Sequence, residues 1–157
     1  MKIKLKEVLY QSPHPLPLVY HPFTTMDTHD LVEFGKEFAE NSELKFKHAS
    51  LIVSGNGAGR HIVAKGVNRY IMDLLNHNHS IHSEVAALED FINNHVSQRI
   101  PKQKRIAMAK NIMKKTNYDM FVIRTGKHNG GLGYSKPCAK CQRYLAVWHI
   151  LQIYYTT

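Results

Sequence analysis

His82-Ser83-Glu84 and Pro137-Cys138-Ala139-Lys140-Cys141 gather the chain's candidate metal ligands and an adjacent acid, and each stands where a helix is expected to begin. Together they offer zinc one imidazole and two thiolates. Three protein ligands leave the fourth tetrahedral position to water, as in catalytic zinc sites, whereas structural sites close the shell with four. The positive end of a helix macrodipole favours thiolate, so the cysteines are expected to be deprotonated. Glu84, two residues beyond the histidine, is cast as a proton shuttle rather than a ligand. Zinc lowers the pKa of its water from 15.7 to about 7, which makes a nucleophile available at neutral pH.

Each piece alone has a plainer reading. Cys138 and Cys141, three apart, are also the spacing of a thioredoxin-like redox pair that follows a strand and opens a helix. The proline before the first cysteine and the distant H-x-E favour metal. His82 by itself would be an ordinary loop histidine. His77 and His79 are read as a polar loop in preference to a second metal site.

The elements that must position these residues come from a chain of 157 residues, the size of one domain, with 43% apolar and 21% charged residues, near the globular average. No run reaches the ~18 apolar residues of a membrane span, and MKIKLKEVLYQ lacks the unbroken apolar core of a secretory signal. With two closely spaced cysteines and no disulfide framework, a cytoplasmic, reducing location is expected. Residues 1 to 90 carry nine Lys/Arg against eleven Asp/Glu (−2) and residues 91 to 157 twelve against one (+11), giving the net +9. Residues 91 to 118 hold Arg99, Lys102, Lys104, Arg105, Lys110, Lys114 and Lys115 and no acid. Such a field attracts nucleotide or polynucleotide phosphates, and it is also what a solvated basic helix face looks like.

Pro13, Pro15, Pro17 and Pro22 make residues 1 to 27 an extended arm with a short strand within Ile3 to Tyr10. The domain proper is read as 28 to 157. A helix starts near Thr28 or Asp30 and buries Leu31, Phe34 and Phe38, with Val32 a further candidate for the stripe. Ala49 to Ser54 and His61 to Gly66 flank Gly55, Gly57 and Gly59 and read as a β-hairpin. After a polar connection, the spacing of Val85, Leu88 and Ile92 predicts a helix over Ser83 to His95. Ile106, Ala109, Ile112 and Met113 predict a second, basic helix after Pro101. Tyr118 to Arg124 reads as a strand, Ala139 to Trp148 as a helix and Leu151 to Tyr155 as a final strand. The alternation points to an α/β fold with helices on a mixed sheet.

The pair H-x-E and P-C-x-x-C resembles the signature of the cytidine deaminase superfamily, the zinc-dependent deaminases of nucleosides, nucleotides and nucleobases, with deoxycytidylate deaminases among them. Gly66-Val67-Asn68-Arg69 is similar to the G-x-N segment that many members carry before H-x-E. HSEVAALEDF is similar to their H-A-E helix, and LQIYYTT to their fourth strand, so the resemblance covers roughly residues 30 to 157. It implies a three-layer α/β/α fold: a mixed sheet with an N-terminal β-hairpin and helices on both faces. By resemblance His82, Cys138 and Cys141 bind Zn2+, Glu84 is the general acid/base, Asn68 contacts the substrate and the Ser83 carbonyl accepts from the leaving amine. Asn68 also has a second reading, a strand end whose side chain satisfies a turn.

The implied reaction converts cytosine to uracil: activated water adds to C4, Glu84 protonates N3 and then the departing amine, and ammonia leaves. A free cytidine or deoxycytidine nucleoside or nucleotide is the first expectation. The chain ends just after the fourth strand, without the further loop by which polynucleotide-acting members read a flanking base. Cytosine or adenine in single-stranded DNA or RNA is the alternative, supported by the basic C-terminal part and by Tyr134, which could stack on a base. A non-catalytic zinc-bearing nucleic-acid binding module is a third reading. Fifty-five residues separate His82 from Cys138, more than most members have, and the excess is the basic segment near 99 to 115. Lys136 parts Ser135 from Pro137, where several polynucleotide-acting members have serine directly before proline. Members are often oligomers, and an oligomer is compatible with this chain.

Overall fold

The computed structural model describes residues 5–8, 25–55, 60–72, 78–126 and 131–157. Its elements are β1 (Leu5–Val8), α1 (Thr25–Ala39), β2 (His48–Ser54), β3 (His61–Val67), β4 (Arg69–Met72), β5 (Asn78–Ile81), α2 (Ser83–His95), α3 (Lys102–Lys115), β6 (Tyr118–Thr125), β7 (Leu132–Gly133), α4 (Ala139–Leu145) and β8 (Gln152–Thr156), with a 3-10 turn at Ala146–Trp148. The main sheet runs β1-β8-β6-β2-β3, with β7 also on β6. Among the described strands only the β6–β8 pairing is parallel, so the sheet is mixed.

β6 lies at the centre and is apolar on both faces, as a strand covered on both sides must be. Alternation sends Tyr118, Met120 and Val122 to one side, with Ile52, Ile153 and Tyr155, where they meet Leu88 and Phe91 of α2, Met113 of α3 and Trp148. Phe121 and Ile123 point the other way, with Leu51, Val53 and Tyr154, against Leu31 and Phe38 of α1. Helices therefore pack on both faces of the sheet. Among the described residues, no helix is long and apolar enough to cross a membrane.

The long periodic segments match their spacing: α2, α3, β2, β3 and β6 lie where the pattern put them. Four expectations need correction. α1 begins at Thr25, inside the span read as an arm, while the short strand expected within Ile3 to Tyr10 is Leu5–Val8, paired with β8; the rest of residues 1 to 24 lies outside the described residues. Phe34 is 37% exposed and Val32 is fully buried in its place. Phe34 instead stacks on Phe38 at 6.0 Å, with the Lys65 ammonium over both rings. The connection before His82 is a second hairpin, β4–β5, whose β4 side chains are all exposed and so carry no periodic signal. The cysteine helix stops at Leu145, and the chain reverses through His149, whose φ of 53° is the left-handed conformation that glycine usually takes.

Gly66 fixes where α2 sits. A Cβ there would fall 2.2 Å from Ala87 N and 2.5 Å from the carbonyl carbon of Ala86, so the helix backbone rests directly on β3. Gly66→Ala must push α2, and with it His82 and Glu84, off the sheet. We expect it to cost about 2–3 kcal/mol by chemical denaturation; an unchanged midpoint would contradict this seating of α2.

Candidate metal centre

The site forms at the sheet end that holds the start of β2 and the ends of β3, β6 and β8, where His48 pairs with Arg124 and Ala49 with Val67. His82 is the N-cap of α2 and Cys138 the N-cap of α4. Three serines pin these helix starts to the sheet. Buried Ser50 of β2 and Ser83 bring their hydroxyls within 2.8 Å. Buried Ser135 donates to the Val122 carbonyl at 2.6 Å and accepts from Thr156 N–H at 2.8 Å, tying the segment before Cys138 to β6 and β8.

The two helix starts meet. His82 Nδ1 lies 3.2 Å from Cys141 Sγ and 3.6 Å from Cys138 Sγ, and the three donor atoms all lie within 4.8 Å of one another. Both cysteines are free, Cys138 exposed and Cys141 buried. No fourth His, Cys, Asp or Glu among the described residues joins the set. One imidazole and two soft sulfurs suit a transition-metal ion and leave a tetrahedral ion one vertex short. Arrangement and donor chemistry both fit a metal.

At Cys141 the surroundings oppose the pull of the helix dipole. Burial, then the nearby Glu84 carboxylate, pushes its thiol well above the ordinary range. A one-turn dipole effect is worth under ~1 kcal/mol at an exposed site, too little to offset burial beside a carboxylate. A bound cation would supply positive charge that holds the thiolate.

Glu84 is 5% exposed, and burial raises its pKa against the opposing pull of its own backbone N–H, of His82 and of Ser83. The Ser83 hydroxyl donates to Glu84 Oε2 at 3.3 Å, which leaves Ser50 as the donor to Ser83. A cavity of about 390 Å³ opens beside this group, lined among others by His82, Glu84, Cys138, Asn68, His48, Phe46, Tyr70, Lys45 and Lys136.

Asn68 lines the cavity, yet much of its amide is already engaged. Its Oδ1 accepts from His48 N–H at 2.8 Å and its Nδ2 donates to the Phe46 carbonyl at 2.6 Å, so it splints the entry to β2. Ser83 is buried and lines the cavity. Tyr134 does not line it; it is exposed and packs edge-on against Tyr155 at 5.9 Å. His77 lies outside the described residues, and His79 is in no metal-ligating group among them. Sequence reasoning passed over His48, Phe46 and Tyr70, none of which belongs to a spaced motif. His48 is held neutral: burial, then Arg124 and His82, lower its pKa to about 4.

Compared with known proteins, the chain matches no family model, no curated protein and no solved structure at a significant level.

Two outcomes are expected. The purified protein should carry about one transition-metal ion per chain by elemental analysis, and His82→Ala or Cys141→Ser should lose it, since removal of one of three ligands cripples an open site. Because the folded pKa of His48 lies below its unfolded value of 6.5, its contribution is full above pH 6.5 and is lost as pH falls toward about 4. His48→Asn should therefore show a shallower loss of stability across that window than the wild type, measured by denaturation midpoints in parallel.

Proposed function

We propose that this chain is a zinc-dependent hydrolytic deaminase of a cytosine base, with the three-layer fold of the cytidine deaminase superfamily and a free nucleoside or nucleotide as substrate. One observation carries the reading: an H-x-E and a P-C-x-x-C, 55 residues apart, bring an imidazole nitrogen and two sulfurs within 4.8 Å at a cavity that buried Glu84 also lines. Among the described residues no fourth protein ligand closes the shell, as one does in a structural zinc site, and a buried acid stands beside the set.

Zinc bound by His82, Cys138 and Cys141 would supply a water acidic enough to react at neutral pH. The chain's own groups supply the rest. Burial lifts Glu84 toward neutrality, so its carboxyl can both take a proton from water and give it up. In the proposed reaction Glu84 delivers that proton to N3 of the ring as oxygen adds to C4, and the C4–N bond then breaks as the amine leaves protonated. One water is consumed and one ammonia released. The Ser83 hydroxyl holds Oε2 in place. Phe46 and Tyr70, 40% and 52% exposed on the cavity wall, offer faces for the base. Neutral His48 offers the sugar a hydrogen bond without a charge. The cavity is of the size that takes a small ligand such as one nucleotide, and Lys45 and Lys136 on its wall suit a phosphate.

A second reading, deamination of a base within single-stranded DNA or RNA, is favoured by the exposed cations of α3.

The test is ammonia release from cytidine, deoxycytidine, cytidylate, deoxycytidylate and adenosine, beside uracil formation in single-stranded DNA and RNA. Turnover of a free cytosine compound is expected, and Glu84→Ala should keep the metal while losing at least ~100-fold in kcat, the usual worth of a positioned acid/base. A metal-loaded, folded sample inert toward the whole panel would refute the catalytic reading and leave the binding module.

A further inference from the structure

α3 is an unusual helix to leave on a surface. Its inner side is small: Ala109 and Met113 are buried, with Ile106 and Ile112 partly so, against the cluster that holds Trp148. Its outer side carries Lys104, Lys114 and Lys115, all exposed, and Lys102 is exposed at its first position. The helix itself has no acidic residue to offset them. Its first turn, where the macrodipole is positive and acids are favoured, instead holds lysines. Among the described residues, the ion pairs involve Lys36, Lys47, Arg60 and Arg69, none of them on α3. The fold thus carries an electrostatic penalty here that no ion pair among the described residues relieves.

A second basic face adjoins the first. On α4 and its terminal turn, Lys140, Arg143, Tyr144 and Val147 recur at helical spacing, and all four are exposed. Trp148 joins the two faces: the Lys110 ammonium lies 5.4 Å from its ring centre, and the Tyr144 ring lies 6.3 Å away on the α4 side. Glu89, the carboxylate that bears on Tyr144, is itself paired with Arg69 at 3.1 Å. α4 begins at the cysteines, so this face leads from α3 to the cavity, whose wall carries a further cation in Lys136.

We propose that the outer faces of α3 and α4 form a track for single-stranded nucleic acid. Charge complementarity selects a polyanion. α3, 14 residues and so ~21 Å long, offers lysines at both ends to successive phosphates. An anionic membrane fits poorly, because an interfacial helix must sink an apolar face into lipid and the apolar side of α3 is already packed on the core. A single strand is preferred to a duplex because exposed Tyr144 offers a base a stacking face between the two groups of cations. This binding role goes beyond the deaminase reading and does not depend on it.

The experiment is fluorescence anisotropy with labelled oligouridylate of about 20 nucleotides, a probe without an amine to lose, so that binding is read apart from any turnover. The wild type should bind, with affinity falling steeply between about 50 and 200 mM salt. The triple variant Lys104→Ala, Lys114→Ala, Lys115→Ala should bind at least ~10-fold more weakly and with a shallower salt slope, since each phosphate left without its lysine lowers the single-strand slope by ~0.7. Tyr144→Ala should lose about fivefold or more without a change in slope, stacking being independent of salt. Lys36→Ala with Lys47→Ala, cations already paired with Glu33 and Glu40, serves as the control and should bind as the wild type does. Circular dichroism melting checks that every variant folds. Absence of binding at low salt, equal affinity of the folded triple variant, tighter binding of a duplex, or variant-sensitive binding to phosphatidylserine vesicles in place of RNA would each overturn the proposal.

Discussion

A buried thiol beside a buried carboxylate is the constraint around which the rest of this structure is arranged. Cys141 and Glu84 each resist ionisation because both are buried, and the Glu84 carboxylate pushes the thiol up further, while the Cys141 contact pulls the carboxyl the other way. Burying two like charges is unfavourable unless a cation lies between or beside them. His82 and Cys138 complete a donor set around the place where such a cation would sit. Burial thus works against negative charge on either group, and a cation held by His82, Cys138 and Cys141 would favour the thiolates.

The sheet makes this arrangement hold still. Two helices present their first residues toward one another only because each is anchored to the same end of the same sheet, α2 through the glycine contact with β3 and the Ser50–Ser83 hydrogen bond, α4 through Ser135 and its bonds to β6 and β8. Small residues do the anchoring in both cases. A side chain at 66 would hold the helix off the strand, and a larger group at 50 or 83 would not fit the 2.8 Å approach. The position of the metal site is thus set by close backbone contact and short polar bonds, with the apolar clusters on the two faces supplying rigidity behind them.

Sequence spacing carried some of this well. Helices α2 and α3 and strand β6 were legible because a regular element that buries one stripe or two faces writes its period into the chain. The hairpin β4–β5 was not, since Arg69, Tyr70, Ile71 and Met72 all face solvent and an element with no buried face has no period to read. Phe34 misled for a related reason: it occupies a position of the apolar stripe, yet Lys65 and Phe38 cover it at the surface while Val32 takes the core place. His48 had no partner within reach along the chain, and its lowered pKa arises from burial and from Arg124 across the β2–β6 pairing, 76 positions away in the sequence.

Residue type and local spacing by themselves determined the donor set: a histidine two residues before a glutamate, and two cysteines three apart behind a proline, are statements about which atoms can be offered at a helix start, and a helix start is a local event. The sequence alone also determined the unbalanced charge of residues 91 to 118. Through-space packing alone decides that the two starts face each other, that Glu84 is buried beside them, that Asn68 commits most of its amide to the backbone, and that the ion pairs among the described residues leave the charges of α3 aside. The physical reason is range. Capping, periodicity and ligand spacing act within a few residues of chain, whereas desolvation, ion pairing and metal geometry depend on distances through space that exist only after the sheet has closed.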